Sequence, residues 1–316
     1  MKGILVSGAV VYDTLVVPAA DSPWGTTTFV DTIEPHPGGN GANTSLALAK
    51  IGAPVRLIAT VGDDAPGHFL LEALRSAGVD TTCVTVVPHA ATASTVALVN
   101  HAGDRKFFHR MGVSATAFAE TIDFSAALTD GMARYHLASL FILPRMRAHA
   151  PETLARARAA GLATSLDTNW DPQGRWLQDV RPCLPHLDII FLNEDEARIS
   201  TGAPTPKAAA RCLLDGGAGT AVIKLGARGC AIYTHASEIL SPAFDVPAKD
   251  TTGAGDCFVA GFLSALVEGA TLADAARRAN ALGAITVQHT GGASGIRDGI
   301  DLDAWLTTAI PRTLEG

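Results

Sequence analysis

The chain has 316 residues, 47% of them apolar and 17% charged, with a formal net charge of −7. That balance supports a large core and excludes wholesale disorder. It also argues against nucleic acid as a partner, since phosphate neutralisation needs a basic surface, though one small anion held by backbone amides stays compatible with it.

In chain order, "ILVSG" reads as a first, buried β-strand rather than the longer apolar region of a signal peptide. Residues 12–34 are rich in Thr, Val and Pro without helical period. "NGANTSLALAKIG" reads as an amphipathic helix stopped by Gly52, "VRLIATVG" as a strand and "GHFLLEALRSAGV" as a helix ending at Gly78. Residues 83–110 look like three β-segments with a turn at "HAGDR". Then come "ARYHLAS" (strand), "ETLARARAAG" (helix), "LATSLDTN" and "LDIIFLN" (strands), "EDEARISTG" (short helix), and "TAVIKLG" and "GCAIYT" (strands). "GAPTPKAAA" reads as a loop feeding a helix, and two helices, about 253–268 and 271–288, close the pattern. Apolar strands alternating with helices predict a largely parallel sheet covered on both faces. The two segments that break the rhythm read as antiparallel strands that join into a small sheet, a lid over a pocket.

No apolar run reaches the roughly 20 residues that span a bilayer, so no membrane association is expected. Five cysteines form no C-x-x-C and are odd in number. That suits free thiols in a reducing, cytoplasmic compartment. Ten histidines make no H-x-x-x-H or H-E-x-x-H pair, so no zinc site is expected.

Chemistry concentrates in two glycine-rich stretches. In "PHPGGNGANTS", Gly39 and its neighbours let a ligand approach the main chain. Asn40 and Asn43 carry amides that both donate and accept, which suits sugar hydroxyls. In "DTTGAGDCFVAGF", Gly253, Ala254 and Gly255 open a helix whose free N–H groups and positive dipole end attract an anion. Asp256 follows at once, and a bound phosphate would repel it. It makes better sense as a general base for a hydroxyl beside the phosphate being transferred. No GxxxxGK[ST] occurs, and "GGNGAN" lacks the GxGxxG spacing, so neither a P-loop nor a dinucleotide fingerprint is present.

Together these residues resemble the ribokinase-like, or phosphofructokinase-B, family of carbohydrate kinases. "GGNGAN" resembles its N-terminal signature and "DTTGAGDCFVAGF" its C-terminal one. "GAVVYD", "FLNEDEA", "IKLGARG" and "TGGASG" fall between and after them in the family's order, over residues 3 to about 296. The resemblance implies one ribokinase-like kinase domain over 1–316, a three-layer α/β/α fold with a mostly parallel central sheet. A small β-sheet lid would be inserted at approximately 12–34 and 83–112. It implies ATP and Mg²⁺, a small-molecule sugar or nucleoside substrate, and a homodimer through the lid.

By position, Asp256 would be the base, with Gly253, Ala254 and Gly255 as the anion hole. Asp13, Gly39, Asn40 and Asn43 would hold the acceptor's hydroxyls, and Asn169, beside Asp167 at a strand end, would line the cleft. Asn193 would organise the phosphate side, and Glu196 would bind Mg²⁺ through water. Lys224, Gly226 and Gly229 would lie along the nucleotide with Thr252, and Asn280 near the adenine. Asp250, Thr252, Thr286 and Gly291 match positions used for a monovalent cation such as K⁺, with His289 in place of a frequent arginine. Arg175 and Trp176 either reach the cleft or cap the following helix.

Departures bear on the acceptor. Val11 stands where ribokinase proper has an asparagine, Asn40 where it has a lysine, and Ser139–Phe141 where a glutamate is expected. These argue against ribose. Phe107 and Phe108 would suit a nucleoside base but read as core packing, and Lys106, His109 and Arg110 would suit an acidic or phosphorylated sugar such as a 2-keto-3-deoxy sugar acid. A neutral hexose or pentose is the leading expectation. A catalytically silent sensor on the same fold would have no need of Asp256.

Overall fold

The computed structural model describes residues 2–19, 24–100 and 105–313. Nine strands form the central sheet: β1 (Gly3–Ser7), β4 (Val55–Gly62), β5 (Val84–Val87), β8 (Met132–Leu137), β9 (Ala163–Asp167), β10 (Ile189–Asn193), β11 (Thr220–Lys224), β12 (Cys230–Tyr233) and β13 (Glu238–Ser241). Their order is β13-β12-β11-β10-β9-β8-β1-β4-β5. All neighbours are parallel from β11 to β5, and β12 and β13 add antiparallel at one edge. A second sheet, ordered β3-β2-β6-β7, comprises β2 (Val11–Val17), β3 (Thr32–Gly38), β6 (Ser94–Val99) and β7 (Arg105–Arg110).

Continuous apolar runs build the central strands because both faces of the sheet are covered. Side chains alternate, so Ile4 and Val6 pack into one core while Leu5 packs into the other. Phe191 and Ile190 divide in the same way. The first core lies beneath the helices Asn40–Lys50, Ala65–Ser76, Ala254–Val267 and Leu272–Val287. The second lies beneath Pro144–Ala159 and Pro206–Asp215. Three layers result. No described helix is long and apolar enough to cross a membrane.

Three sequence expectations change. The first of the three β-segments after residue 83, β5, joins the central sheet parallel to β4 instead of entering the lid. The two lid segments meet through a parallel pair, β2 with β6, although β2–β3 and β6–β7 are antiparallel as expected. The helix expected from Glu152 begins at Pro144 and runs through Pro151. Pro144 opens that helix where its missing N–H is unpaired anyway, whereas Pro151, inside it, removes one ladder donor. Of the expected turn at "HAGDR", residues 101–104 lie outside the described residues. Pro35 and Pro37 sit on β3, an edge strand, where a missing N–H costs no ladder bond.

The loop after β9 is tied to the helix Pro144–Ala159. Arg147 makes a two-pronged pair with Asp171 (2.7 and 3.0 Å) and a further one with Asp179, and lies over the Phe141 ring. Asp171 also accepts from the N–H groups of Gln173, Arg175 and Trp176. Burial opposes its ionisation, but Arg147 and those N–H groups outweigh it and hold the carboxyl at about 2. Trp176 packs on Phe141 and Trp170, and Arg175 pairs with Asp179, so both brace this loop rather than reach the cleft. Arg147→Met, which takes the buried guanidinium from Asp171 and Asp179, is expected to cost about 3 kcal/mol or more of unfolding free energy by denaturant titration. A loss within error would show that the knot carries no stability.

Candidate active site

Asp256 stands in the first turn of the helix Ala254–Val267 and is almost fully buried. The turn needs its glycines. Gly253 caps the helix at φ 70°, and a Cβ there would come within 3.1 Å of Asn43 Nδ2. A Cβ on Gly255 would stand 3.3 Å from Lys224 Nζ, so the small residue admits that ammonium to the helix mouth.

The helix Asn40–Lys50, capped by Gly39, brings two amides to the acid from one face, three residues apart. Asn40 Nδ2 donates to Asp256 Oδ1 (2.8 Å) and Asn43 Nδ2 to Oδ2 (2.9 Å). Burial pushes the Asp256 carboxyl up to about 7. The two amides oppose that, Asp167 adds to it and Lys224 opposes it. Asn43 Oδ1 is buried without a hydrogen-bond partner, leaving an acceptor for a hydroxyl. Asn169, in left-handed backbone at φ 62°, stands behind Asn40. With its amide oriented to satisfy both ends, it donates to the Ala138 carbonyl (3.1 Å) and accepts from Asn40 Nδ2 (2.9 Å). It buttresses the amide that holds Asp256 and is not among the residues that line the cavity under the lid.

Two cavities flank this helix mouth. The smaller, about 140 Å³, lies under the lid and is lined by Asp13, Thr95, Phe107, Asn43, Asp250 and Arg105 among others. Burial raises the Asp13 carboxyl to about 6, partly offset by a Thr95 hydrogen bond. The larger, about 360 Å³, is lined by Asn193, Lys224, Gly226 and Gly229, by Ala254 and Gly255, and by an apolar slot including Phe244, Val246 and Val287. The loop from Asp250 to Gly255 contributes to both.

On the second cavity's side, Lys224 is half-buried and paired with Asp167 (2.5 Å), so it is no exposed strand-end lysine. Burial opposes its charge, but Asp167 and Glu196 outweigh that and hold it above the ordinary range. Asn193 and Glu196 form a reciprocal cap. Asn193 Oδ1 accepts from the Glu196 N–H (2.8 Å) and Glu196 Oε2 from the Asn193 N–H (2.9 Å). Burial raises the Glu196 carboxyl, Lys224 opposes that and Asp167 adds to it. Three buried carboxylates (Asp167, Glu196 and Asp256) thus surround one ammonium, a donor set that suits a hydrated Mg²⁺ arriving with phosphates. Among the described residues no three His, Cys, Asp or Glu form a metal cage of protein ligands alone.

Asn280 lines the larger cavity, but its Nδ2 donates to the carbonyls of Ser241 and Pro242, both at 3.1 Å, tying its helix to the sheet edge. Thr252 lies in the smaller cavity, not along the larger one. Asp250, Thr252 and Gly291 come together, whereas the Thr286 hydroxyl is spent on the Leu282 carbonyl of its own helix.

Arg105 is the site residue that sequence reasoning missed. It pairs with Asp250 from the lid. The signal was alternation along β7. Arg105 and Phe107 line the cavity, while Arg110, on the other parity, donates to the Thr92 carbonyl. Phe107 and Phe108 are more than half exposed and pack in no core.

A helix N-terminus, a buried carboxylate beside it and a cavity on either side define a small-molecule phosphotransferase. The chain belongs to the pfkB family of carbohydrate kinases, whose model matches residues 1–298. It is 33% identical to ribokinase of Mus musculus over 264 residues, covering 80% of this chain and 79% of that one. Probable fructokinase-5 of Arabidopsis thaliana is 28% identical over 270 residues, covering 81% and 83%. The structure of Arabidopsis thaliana ribokinase complexed with ribose and ATP is similar at TM-score 0.84 and 25% identity, over 96% of this chain and 98% of that one. Aminoimidazole riboside kinase from Salmonella enterica, complexed with aminoimidazole riboside and an ATP analogue, is similar at TM-score 0.78 and 25% identity, over 96% and 100%.

Two pH effects follow from the raised Asp256 carboxyl. Were Asp256 to take a proton from an acceptor hydroxyl, it would have to be ionised first, and kcat/KM would climb as pH rises through about 7. Between 3.8 and about 7 the folded chain keeps a proton that the unfolded chain releases, so stability falls as pH rises through that window. Asp256→Asn is expected to flatten this fall in a Tm-against-pH series, and an unchanged slope would show that burial does not oppose ionisation there.

Proposed function

We propose that this chain transfers the γ-phosphoryl group of Mg·ATP to a hydroxymethyl oxygen of a small neutral sugar. The observation that carries this is the place of Asp256. It is buried at a helix mouth between two cavities, held by Asn40 and Asn43. The acceptor occupies the cavity under the lid, its hydroxyls bonded to Asp13 and to Asn43 Oδ1. Asp256 takes the proton of the attacking hydroxyl as its oxygen bonds to phosphorus. The bond from phosphorus to the bridging oxygen breaks and ADP leaves. The N–H groups at Gly253–Asp256 and the Lys224 ammonium stabilise charge on the transferred group. Glu196, through water, with Asp167 and Asn193 nearby, would hold Mg²⁺, which supplies charge neutralisation between phosphates. Gly226, Gly229 and the apolar slot take the nucleotide's base and ribose.

A neutral acceptor is favoured because the cavity's arginine is already paired with Asp250. A sugar acid would have to compete for it. Ser139, where a glutamate was expected, accepts from the Ala9 N–H (3.1 Å) and so serves the backbone, which fits the departure from ribose. The nucleoside reading has one observation behind it, Phe107, which lines the cavity and could stack on a base.

ADP release with Mg·ATP and a panel of neutral sugars, sugar acids, sugar phosphates and nucleosides separates these readings. Turnover with nucleosides alone would overturn the sugar assignment. Asp256→Asn is expected to lower kcat by about 10²-fold or more while ATP affinity holds. Near-normal turnover in that variant would remove its role as base.

The outward parity of the lid exposes Ile33, Val96 and Phe108, the surface through which two copies would pair. Sedimentation is expected to show a dimer, with Phe108→Lys a monomer. A monomeric wild type would rule the pairing out.

A further inference from the structure

The family resemblance places a monovalent cation beside the anion hole, at Asp250, Thr252, Thr286 and Gly291. In this chain those groups are engaged. Asp250 Oδ1 accepts from Arg105 Nη2 (2.6 Å) and from the Thr252 N–H (2.7 Å), and Oδ2 accepts from the Gly291 N–H (3.0 Å). The Thr252 hydroxyl accepts from Arg105 Nη1. The Thr286 hydroxyl donates to the Leu282 carbonyl (2.7 Å). A hard cation needs oxygen lone pairs, and the side-chain oxygens of Asp250 and Thr252 already accept four N–H bonds between them. The guanidinium also stands within hydrogen-bond distance of the same buried carboxylate, where a second positive charge would be repelled through low-dielectric surroundings. The donor set does not fit a bound alkali ion.

Resting on the kinase reading above, we infer that Arg105 substitutes for that ion. Its guanidinium places at Asp250 and Thr252 the charge that K⁺ would supply, so phosphoryl transfer in this chain is independent of K⁺. Arg105 acts through Asp250 and the loop leading to Gly253–Gly255, which makes it a positioning residue. It begins β7, so the charge comes with the lid. The loop is then fully braced only while the lid lies over the acceptor cavity, which couples acceptor enclosure to the geometry of the anion hole.

The test uses the full chain in tetramethylammonium buffer, with KCl or tetramethylammonium chloride added to equal ionic strength. Two quantities are read: Mg·ADP affinity by calorimetry, and ADP release with whichever sugar is turned over. The wild type is expected to respond to both salts alike. Arg105→Gln is expected to lose about 10²-fold in kcat, the scale of one preorganised charge at a developing anion, and to regain activity and Mg·ADP affinity with KCl alone. Arg105→Lys, which keeps the charge, is expected to stay insensitive to K⁺. A wild type specifically activated by K⁺ would overturn the inference. So would a folded Arg105→Gln, checked by circular dichroism, that KCl does not rescue, because Arg105 would then serve the acceptor. Should Arg105→Gln not fold, the wild type and Arg105→Lys still decide. Absence of turnover with every acceptor would sink the kinase reading alone, and the calorimetric K⁺ response would still judge the inference.

Discussion

A carboxylate taken out of water at the amino end of a helix is the constraint on which this molecule turns. The helix end favours the charged form, and burial in low dielectric opposes it more strongly. The two asparagine amides set the balance, and each must be held in place to do so. Asn40 leans on Asn169, whose backbone is forced into left-handed geometry by the loop after β9. That loop is knotted to the helix Pro144–Ala159 by Asp171 and Arg147. Asp256 is therefore held by an amide whose support lies in the same loop that Arg147 anchors. Burial raises the Asp256 carboxyl to about 7 against its two amides, whereas at Asp171 the Arg147 guanidinium and the backbone donors outweigh burial and hold the carboxyl at about 2.

Charge is distributed with similar economy on the two sides. The side of the larger cavity gathers Asp167 and Glu196 about Lys224, which they hold charged against burial. The cavity under the lid pairs Arg105 with Asp250, and there burial raises the Asp13 carboxyl to about 6, with Thr95 bonding it.

Much of this was readable from residue order. The apolar runs and intervening helices predicted the layered sheet because a doubly covered strand has no polar face to obscure it. Asp256 and Asn43 were legible because glycines mark the backbone around them, whereas Asp13, expected at the end of the first strand, lies inside the lid strand β2. The rest depended on long-range pairing that spacing does not encode. β5 looked like a lid strand because a short Val-Thr run has the same pattern in either sheet, and only its partner β4 decides. Lys224 could be placed on the nucleotide side but not against Asp167, since the two meet from β11 and β9, separated by β10. Arg105 was passed over for Lys106 and Arg110, whose parity on β7 could be assigned only once its register with β6 was known.

The lid is a sheet of its own, hydrogen-bonded strand to strand apart from the central nine. Its inward positions (Asp13, Leu15, Thr95, Ala97 and Phe107) line the cavity beneath it and contribute nothing to the lining of the larger one. The lid can therefore be reshaped apart from the sheet it covers, except where Arg105 ties it to Asp250 and Thr252.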